Sequence, residues 1–337
     1  MWPLVRALLF TMDAERAHAV TIRLLAIAPS LWARCARLAF GRPPAAPRDV
    51  GGVRVAGPIG LAAGLDKDGV AVPFWPALGF GFVEVGTVTA HPQPGNPRPR
   101  MRRFPAERAI VNQLGFNNQG SEALARRLRV LRDAGRWPAV PVGANVGKSA
   151  VTPLAEAPQD YVLSVRRLKD VVDWITVNVS SPNTAGLRAL QDRDALATLL
   201  PAVVGAAGAT PVWLKLAPDL SNEALAEAVT LARQAGVKAI VATNTTASRE
   251  GVPAAAELGG GLSGRPLYAL AKDRLRVVLA AAASDIDVVG VGGIESADQV
   301  AELLAMGCRA VQLYSSLVFE GPGLPARLNR ALWERAA

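Results

Sequence analysis

The residues Asn178-Val179-Ser180-Ser181-Pro182-Asn183-Thr184 put two carboxamides and three hydroxyls into seven positions, directly after the apolar segment Trp174-Ile175-Thr176-Val177. Polar groups packed this densely at the end of a buried strand need partners. A planar polar ligand gripped by the carboxamides would supply them, and one hydroxyl could move a proton. The competing reading is a polar turn that caps the next helix. The ligand reading gains weight because similar runs end other apolar segments. Ala62-Ala63-Gly64 with Lys67 offers a flat approach and a cation. Asn145, Lys215 and Thr243-Asn244-Thr245-Thr246 offer further polar groups. Gly292-Gly293 and Tyr314-Ser315-Ser316 offer small residues and backbone donors.

These runs divide into two chemistries. Gly264, Gly292-Gly293 and the start of the segment at Tyr314 suit a phosphate, although a single Gly-Gly pair is more often an ordinary tight turn. The remaining ends offer Lys, Asn and Thr around an apolar floor. A flavin mononucleotide beside a small anionic, amide-bearing substrate fits this set, with Lys215 near the electron-rich edge of the ring. Lys215 stands within Trp213-Leu214-Lys215-Leu216, where an unpaired ammonium is costly. No His or Cys lies among the strand ends, so Ser181 is the candidate base. A free serine is a weak base. It needs a relay through water or Thr184, and a substrate activated by hydride loss.

The elements that carry these ends alternate regularly. Eight short apolar runs, 59–65, 82–88, 141–146, 174–179, 212–216, 239–243, 288–291 and 310–314, are separated by Ala/Leu/Arg-rich stretches of helical spacing such as 121–133, 195–204, 221–234 and 297–306. This is the pattern of an α/β protein, a (β/α)8 TIM barrel whose active site gathers at the carboxyl ends of the strands. A doubly wound open sheet would want Gly-x-Gly-x-x-Gly after its first strand, and Ala62-Ala63-Gly64-Leu65-Asp66-Lys67 is not that turn. Ahead of the barrel, residues 1–40 predict an amphipathic helical hairpin. Asp13 caps a helix running to about residue 28, Pro29-Ser30 restarts the chain with Ser30 as cap, and Gly41 stops it. Prolines 43, 44 and 47 predict a stiff linker over 41–54, which leaves 55–337 as the catalytic domain.

The net charge of +9 is concentrated at the start. Residues 1–54 hold eight Arg against Asp13, Glu15 and Asp49, which suits an anionic lipid surface. The alternative is an Arg-rich bias of the whole chain. Two cysteines and two histidines give no disulfide framework, iron–sulfur motif or His-rich metal set, so no metal is expected. No stretch reaches the roughly 20 apolar residues of a membrane span, and a signal peptide is not expected.

The chain resembles the quinone-dependent (class 2) dihydroorotate dehydrogenases. The resemblance rests on Leu61-Ala62-Ala63-Gly64-Leu65-Asp66-Lys67-Asp68-Gly69, Gly86-Thr87-Val88-Thr89 with Pro92-Gln93-Pro94-Gly95-Asn96, Asn112-Gln113-Leu114-Gly115-Phe116-Asn117-Asn118 and the Asn178 to Thr184 run. It continues through Ala242-Thr243-Asn244-Thr245-Thr246, Gly259-Gly260-Gly261-Leu262-Ser263-Gly264-Arg265-Pro266 and the run from Gly290 to Ile294. It implies oxidation of (S)-dihydroorotate to orotate in pyrimidine synthesis, with FMN reduced and then reoxidised by a membrane quinone. By matching position, Ser181 takes the C5 proton while hydride passes from C6 to the flavin. Lys67, Asn112, Asn178, Asn183, Asn244 and Thr245 hold the orotate carboxylate and ring amides, with Gln113, Leu114, Gly115 and Phe116 beside them. FMN is held by Ala63, Gly64, Leu65, Asp66, Lys67 and Thr87, and by Asn145, Asn178, Lys215, Thr243, Gly264 and Gly293. Tyr314 and Ser315 lie near its phosphate. Soluble class 1 members carry Cys as base and lack such a hairpin, so Ser181 and residues 1–40 both select class 2.

In that family the hairpin lies on the membrane and forms a quinone tunnel, to which His18 and Arg103 correspond. For His18 the alternative is a partly exposed helix histidine. The resemblance further implies a monomer attached peripherally to the cytoplasmic face of a bacterial inner membrane, with no nucleic-acid partner. Two positions depart from the pattern. The run Arg100-Met101-Arg102-Arg103 is more basic than expected, and Gln113 stands where related bacterial enzymes often have Arg. A flavin reductase acting on RNA uracil would want a Cys acid and an RNA-binding domain, and neither is present. A non-catalytic barrel would tolerate loss of Lys67, Ser181 or Lys215, and all are retained.

Overall fold

The computed structural model describes residues 2–184 and 186–336. Residues 2–40 form three helices: α1 (Trp2–Phe10), α2 (Ala14–Ile27) and α3 (Pro29–Phe40). Asp13 caps α2 as expected, its side chain accepting from Arg16 N at 3.0 Å. Ser30 does not cap α3. Pro29, which has no N–H to satisfy and a fixed φ, takes the first helical position and draws Ser30 inside. Gly41 ends α3 at φ +68°, donating to Arg37 O at 2.9 Å. The sequence pattern did not separate α1 from α2, which the turn at Thr11-Met12 divides. The axes of α2 and α3 bend by 101°, and among the described residues no single helix is long and apolar enough to cross a membrane.

The segment expected as a linker does more than connect. Arg48–Val50 and Val53–Val55 pair as an antiparallel hairpin. Val50, Val53 and Val55 pack beneath the barrel against Phe82, Trp174 and Trp213.

Eight parallel strands close the barrel: β1 (Ile59–Leu61), β2 (Phe82–Val88), β3 (Val142–Val146), β4 (Trp174–Asn178), β5 (Val212–Leu216), β6 (Ala239–Ala242), β7 (Asp287–Val291) and β8 (Ala310–Leu313). They are hydrogen-bonded in chain order, with β8 returning to β1. Because strand side chains alternate, inward residues two apart form layers. The lowest layer is apolar, with Trp174 and Trp213 stacked at 4.6 Å and Phe82 edge-on to both. Glycines make room for these rings: a Cβ on Gly60 would lie 2.2 Å from Phe82, and one on Gly143 2.0 Å from Trp174. The next layer is polar and carries Glu84, Asn145, Lys215 and Gln312, all buried.

The outer helices begin and end where the sequence signals them. Ser221 caps Asn222–Ala235, and Gly236 stops it at φ +85°. Ser296 and Gln299 form a capping box at Ala297–Ala305. Between β1 and β2 there is only the short turn Trp75–Leu78, against which α3 packs through the buried Ala33 and Ala36. A second sheet of three antiparallel strands, Met101–Phe104, Ala109–Asn112 and Gly261–Gly264, was not foreseen from the sequence. It brings Asn112 opposite Gly261 and sets Gly264 opposite Ala109.

Candidate active site

A cavity opens at the carboxyl ends of the strands. Ser181, Lys67 and Lys215 all line it, as do Ala63, Gly64 and Thr87. So do Asn112, Leu114, Gly115, Phe116, Asn178 and Asn183, and Thr243, Asn244, Thr245, Gly264, Gly293, Tyr314 and Ser315.

A continuous hydrogen-bonded network holds the floor. Glu84 accepts from Asn145 Nδ2 through one oxygen and from Gln312 Nε2 through the other, each at 2.7 Å. Asn145 Oδ1 then accepts from Thr87 Oγ1 at 2.5 Å and from Asn178 Nδ2 at 3.0 Å. Asn178 Oδ1 accepts from the Ser180 hydroxyl at 3.1 Å, and Asn244 Nδ2 donates to Ser180 Oγ at 2.8 Å. This network fixes the carboxamides of β4 and the β6 end before any ligand arrives. Lys215 is buried among these groups. Desolvation pushes its pKa down, and Glu84 is the carboxylate that opposes the shift.

Ser181 is 4% exposed and its Oγ accepts from Asn183 N at 3.2 Å. Nearby, Thr184 Oγ1 is buried with no hydrogen-bond partner among the described residues. Asn183 Nδ2 donates to Asn112 Oδ1 at 3.1 Å, which leaves Asn183 Oδ1 without a partner. Gln312 Oε1 and Ser316 Oγ, on residues that also line the cavity, are likewise unpartnered. Buried polar atoms left in this state around one cavity mark a site built for a ligand with polar edges. Lys67 Nζ donates to Asn117 Oδ1 at 2.5 Å. Burial pushes this ammonium down to about 8, and Arg100 adds to the shift.

At the opposite end, Gly264 (φ +96°) and Gly293 (φ +66°) adopt backbone conformations that favour glycine. A Cβ on Gly293 would come within 2.6 Å of Tyr268 N and 2.7 Å of Gly264 O, so no side chain fits between these turns. Ser315 Oγ donates to Ser263 Oγ at 2.8 Å beside them.

Four residues expected at the cofactor or substrate lie outside the cavity lining. Asp66 turns into the protein and accepts from Val70 N and Ala71 N at 2.8 Å and from Trp75 Nε1 at 2.9 Å. Leu65 packs against the core. Asn145 lies in the network beneath, one step from the cavity. Gln113 is exposed and borders a smaller pocket with Arg100 and Arg102. Neither His18 nor Arg103 lines the main cavity. His18 is half-buried on α2, and burial together with the Lys67 charge lowers it to about 4, so it is neutral at pH 7. Arg103 donates to Leu9 O at 3.1 Å and to Met12 O, and lies 4.4 Å from the Phe10 ring. It therefore ties the α1–α2 corner to the small sheet.

Sequence reasoning missed several cavity residues. Arg108 bonds Glu295 at 2.8 Å and also Glu320, and Arg265 bonds Glu295 at 2.5 Å, closing the glycine-rich end with paired charges. Arg108 is separated from its two partners by 187 and 212 positions, so no local signal exists. Phe319 also lines the cavity and meets Phe10 of α1 edge-on at 6.1 Å. Glu84 had a legible signal, a carboxylate within Phe82-Val83-Glu84-Val85.

The chain matches the dihydroorotate dehydrogenase family over residues 46–335. It is 49% identical to a dihydroorotate dehydrogenase (quinone) from Anaeromyxobacter sp., covering 98% of this chain and 92% of the relative. It is 46% identical to the enzyme of that name from Chloroflexus aurantiacus, covering 97% and 94%. Its structure resembles that of a dihydroorotate dehydrogenase from Eimeria tenella in complex with ferulenol, at a TM-score of 0.86 and 29% identity over 97% of this chain and 94% of the other. The chain belongs to the dihydroorotate dehydrogenase family.

Proposed function

We propose that this member of the family oxidises (S)-dihydroorotate to orotate, in the pathway that makes pyrimidines, and passes the electrons through FMN to a membrane quinone. The observation that carries the reading is the convergence of Ser181, Lys67 and Lys215 on one cavity. The residues present fit FMN. Gly264, Gly293, Tyr314 and Ser315 would hold its phosphate. Lys215 and the unpartnered Gln312 oxygen suit a ring with acceptors and donors on one edge. Bound there, FMN would supply the acceptor for the C6 hydride and the link to quinone. The yellow ligand released on denaturation should be FMN at about one per chain. A folded, colourless protein that cannot be reconstituted with FMN would contradict the assignment.

Ser181 Oγ takes the proton from C5 as hydride leaves C6, and the unpartnered Thr184 hydroxyl is available to carry it onward. Asn112, Asn178, Asn183 and Asn244 orient the pyrimidine amides. Lys67 meets the carboxylate. Its charge is present below a pKa of about 8 and lost above it. Orotate affinity of the FMN-loaded protein should therefore be flat near neutrality and fall up to about tenfold per pH unit above that point. Titration of orotate across this range checks it. A profile that stays flat through the alkaline range would remove Lys67 as the charged anchor.

The N-terminal helices are the membrane contact in this reading. Leu4 (78%), Leu8 (69%), Leu24 (51%), Ile27 (79%), Leu31 (55%) and Leu38 (88%) are exposed there, next to the exposed Arg16, Arg23, Arg34 and Arg37. Apolar side chains ringed by cations suit an anionic bilayer surface. Replacing Leu8 and Ile27 together by Asp should weaken binding to anionic vesicles by at least about tenfold, since burying each such side chain is worth ~1.5–3 kcal/mol. Unchanged cosedimentation would exclude this face. The protein is a monomer in this reading, bound peripherally at the cytoplasmic face of a bacterial inner membrane.

A further inference from the structure

The cavity is tied to the N-terminal helices by a chain of contacts that the reaction itself does not use. It begins at Glu15 on α2. Arg100 grips this carboxylate at 2.8 Å through Nη2 and at 3.1 Å through Nε, and Arg98 adds bonds at 3.0 Å through Nη2 and 3.2 Å through Nε. The Arg100 and Glu15 side chains are only 4% and 12% exposed. From the same guanidinium, Nη1 donates to Pro94 O and to Asn96 O, both at 2.7 Å. The Asn96 carboxamide then donates forward in two directions, to Gln113 O at 2.8 Å and to Asn183 O at 3.0 Å. Its backbone N–H donates to Leu114 O at 3.1 Å. One side chain therefore joins two segments that both contribute to the cavity lining, the first through Asn112 and Leu114 and the second through Ser181 and Asn183.

The packing leaves this chain no slack. A Cβ on Gly115 would lie 2.6 Å from Asn96 Oδ1, and one on Gly95 2.2 Å from Leu114 O. Glu15 is largely desolvated and fully paired, so removing one partner would strand the other in a buried setting. Displacement of α2 must either break the pair or drag the 94–100 loop with it.

We propose that Glu15, Arg100 and Asn96 form a strut that transmits the docking of the N-terminal helices to the geometry of the substrate pocket, with Asn96 as the positioning residue for the loop that carries Ser181. The inference rests on the dihydroorotate reading above. It gives the membrane helices a second role, because their docked position sets how tightly the far end of the cavity holds its anion. The same chain passes close to Lys67. Arg100 disfavours the Lys67 charge, while Glu15 and Asp68 favour it. Loss of the Glu15 charge thus has an electrostatic consequence as well as a geometric one.

The test is orotate binding to full-length, FMN-loaded protein, followed from neutral to alkaline pH, for the wild type, Asn96→Ala and Glu15→Gln. Asn96→Ala should retain FMN and weaken orotate on the order of tenfold, the effect of two lost hydrogen bonds. Glu15→Gln should weaken orotate and also move the alkaline limb to lower pH. A change that only loosened the fold would leave the position of that limb alone. Wild-type affinity in Asn96→Ala, or an unmoved limb in Glu15→Gln, would overturn the strut. If Asn96→Ala does not fold, the limb in Glu15→Gln decides. A wild type that binds no orotate at any pH would instead overturn the reading of function on which the strut rests.

Discussion

Ser181→Ala should leave FMN bound and slow flavin reduction by dihydroorotate by ~10³-fold or more, the upper part of the range for loss of a positioned proton acceptor. The structure makes this a sharp expectation. The hydroxyl is almost fully buried at the end of β4, and no His or Cys lines the cavity to replace it. Its one hydrogen bond among the described residues is from Asn183 N, so its removal leaves a single backbone donor unpaired and the Glu84–Asn145–Asn178 network untouched. Loss of rate with retained orotate affinity is the signature of a group that acts on the reacting proton. Rapid-mixing measurement of the reductive half-reaction reads it directly. A rate within a few-fold of the wild type would remove Ser181 from the chemistry.

Lys67→Met should raise the orotate Kd and the dihydroorotate KM by ~10² or more, with a smaller effect on the rate at saturation. Truncating one partner of a partly buried charge pair commonly costs about 2–5 kcal/mol. Methionine keeps the stem of the side chain, removes the cation and leaves Asn117 Oδ1 without its donor. The alkaline fall in orotate affinity should vanish with it, because the group whose charge is lost near 8 is gone. A variant that binds orotate as tightly as the wild type, or keeps the alkaline limb, would place the carboxylate elsewhere.

The barrel and most of the cavity were legible because their signals are local. Strand alternation and a polar residue at each strand end both lie within a few positions of one another, and a closed barrel converts eight such ends into one wall. The misleading positions had local signals too. Asp66 sits in a ligand-like run, yet its carboxylate satisfies the turn at Val70 and Ala71 and the Trp75 indole. Ser30 has the chemistry of a cap, but Pro29 suits the first helical position better. The prolines of 41–54 suggested a spacer and hid Val50 and Val53, which with Val55 seal the barrel floor.

What the sequence could not give is long-range pairing. The three-stranded sheet joins residues 101–112 to 261–264, and only that pairing brings Asn112 and Gly264 to one cavity. Arg108 with Glu295 and Glu320, and Arg100 with Glu15, depend on the same kind of contact. The run Arg100-Met101-Arg102-Arg103, more basic than expected, is in part internal: Arg100 and Arg103 spend their donors on α2 and on the α1–α2 turn.

The most direct test of the account is anaerobic mixing of the purified yellow protein with (S)-dihydroorotate. The flavin band should bleach within the mixing experiment, and orotate should appear in a one-to-one ratio with the flavin reduced. A protein that carries FMN and binds orotate, yet stays yellow with excess dihydroorotate, would contradict the claim that this cavity carries out the oxidation.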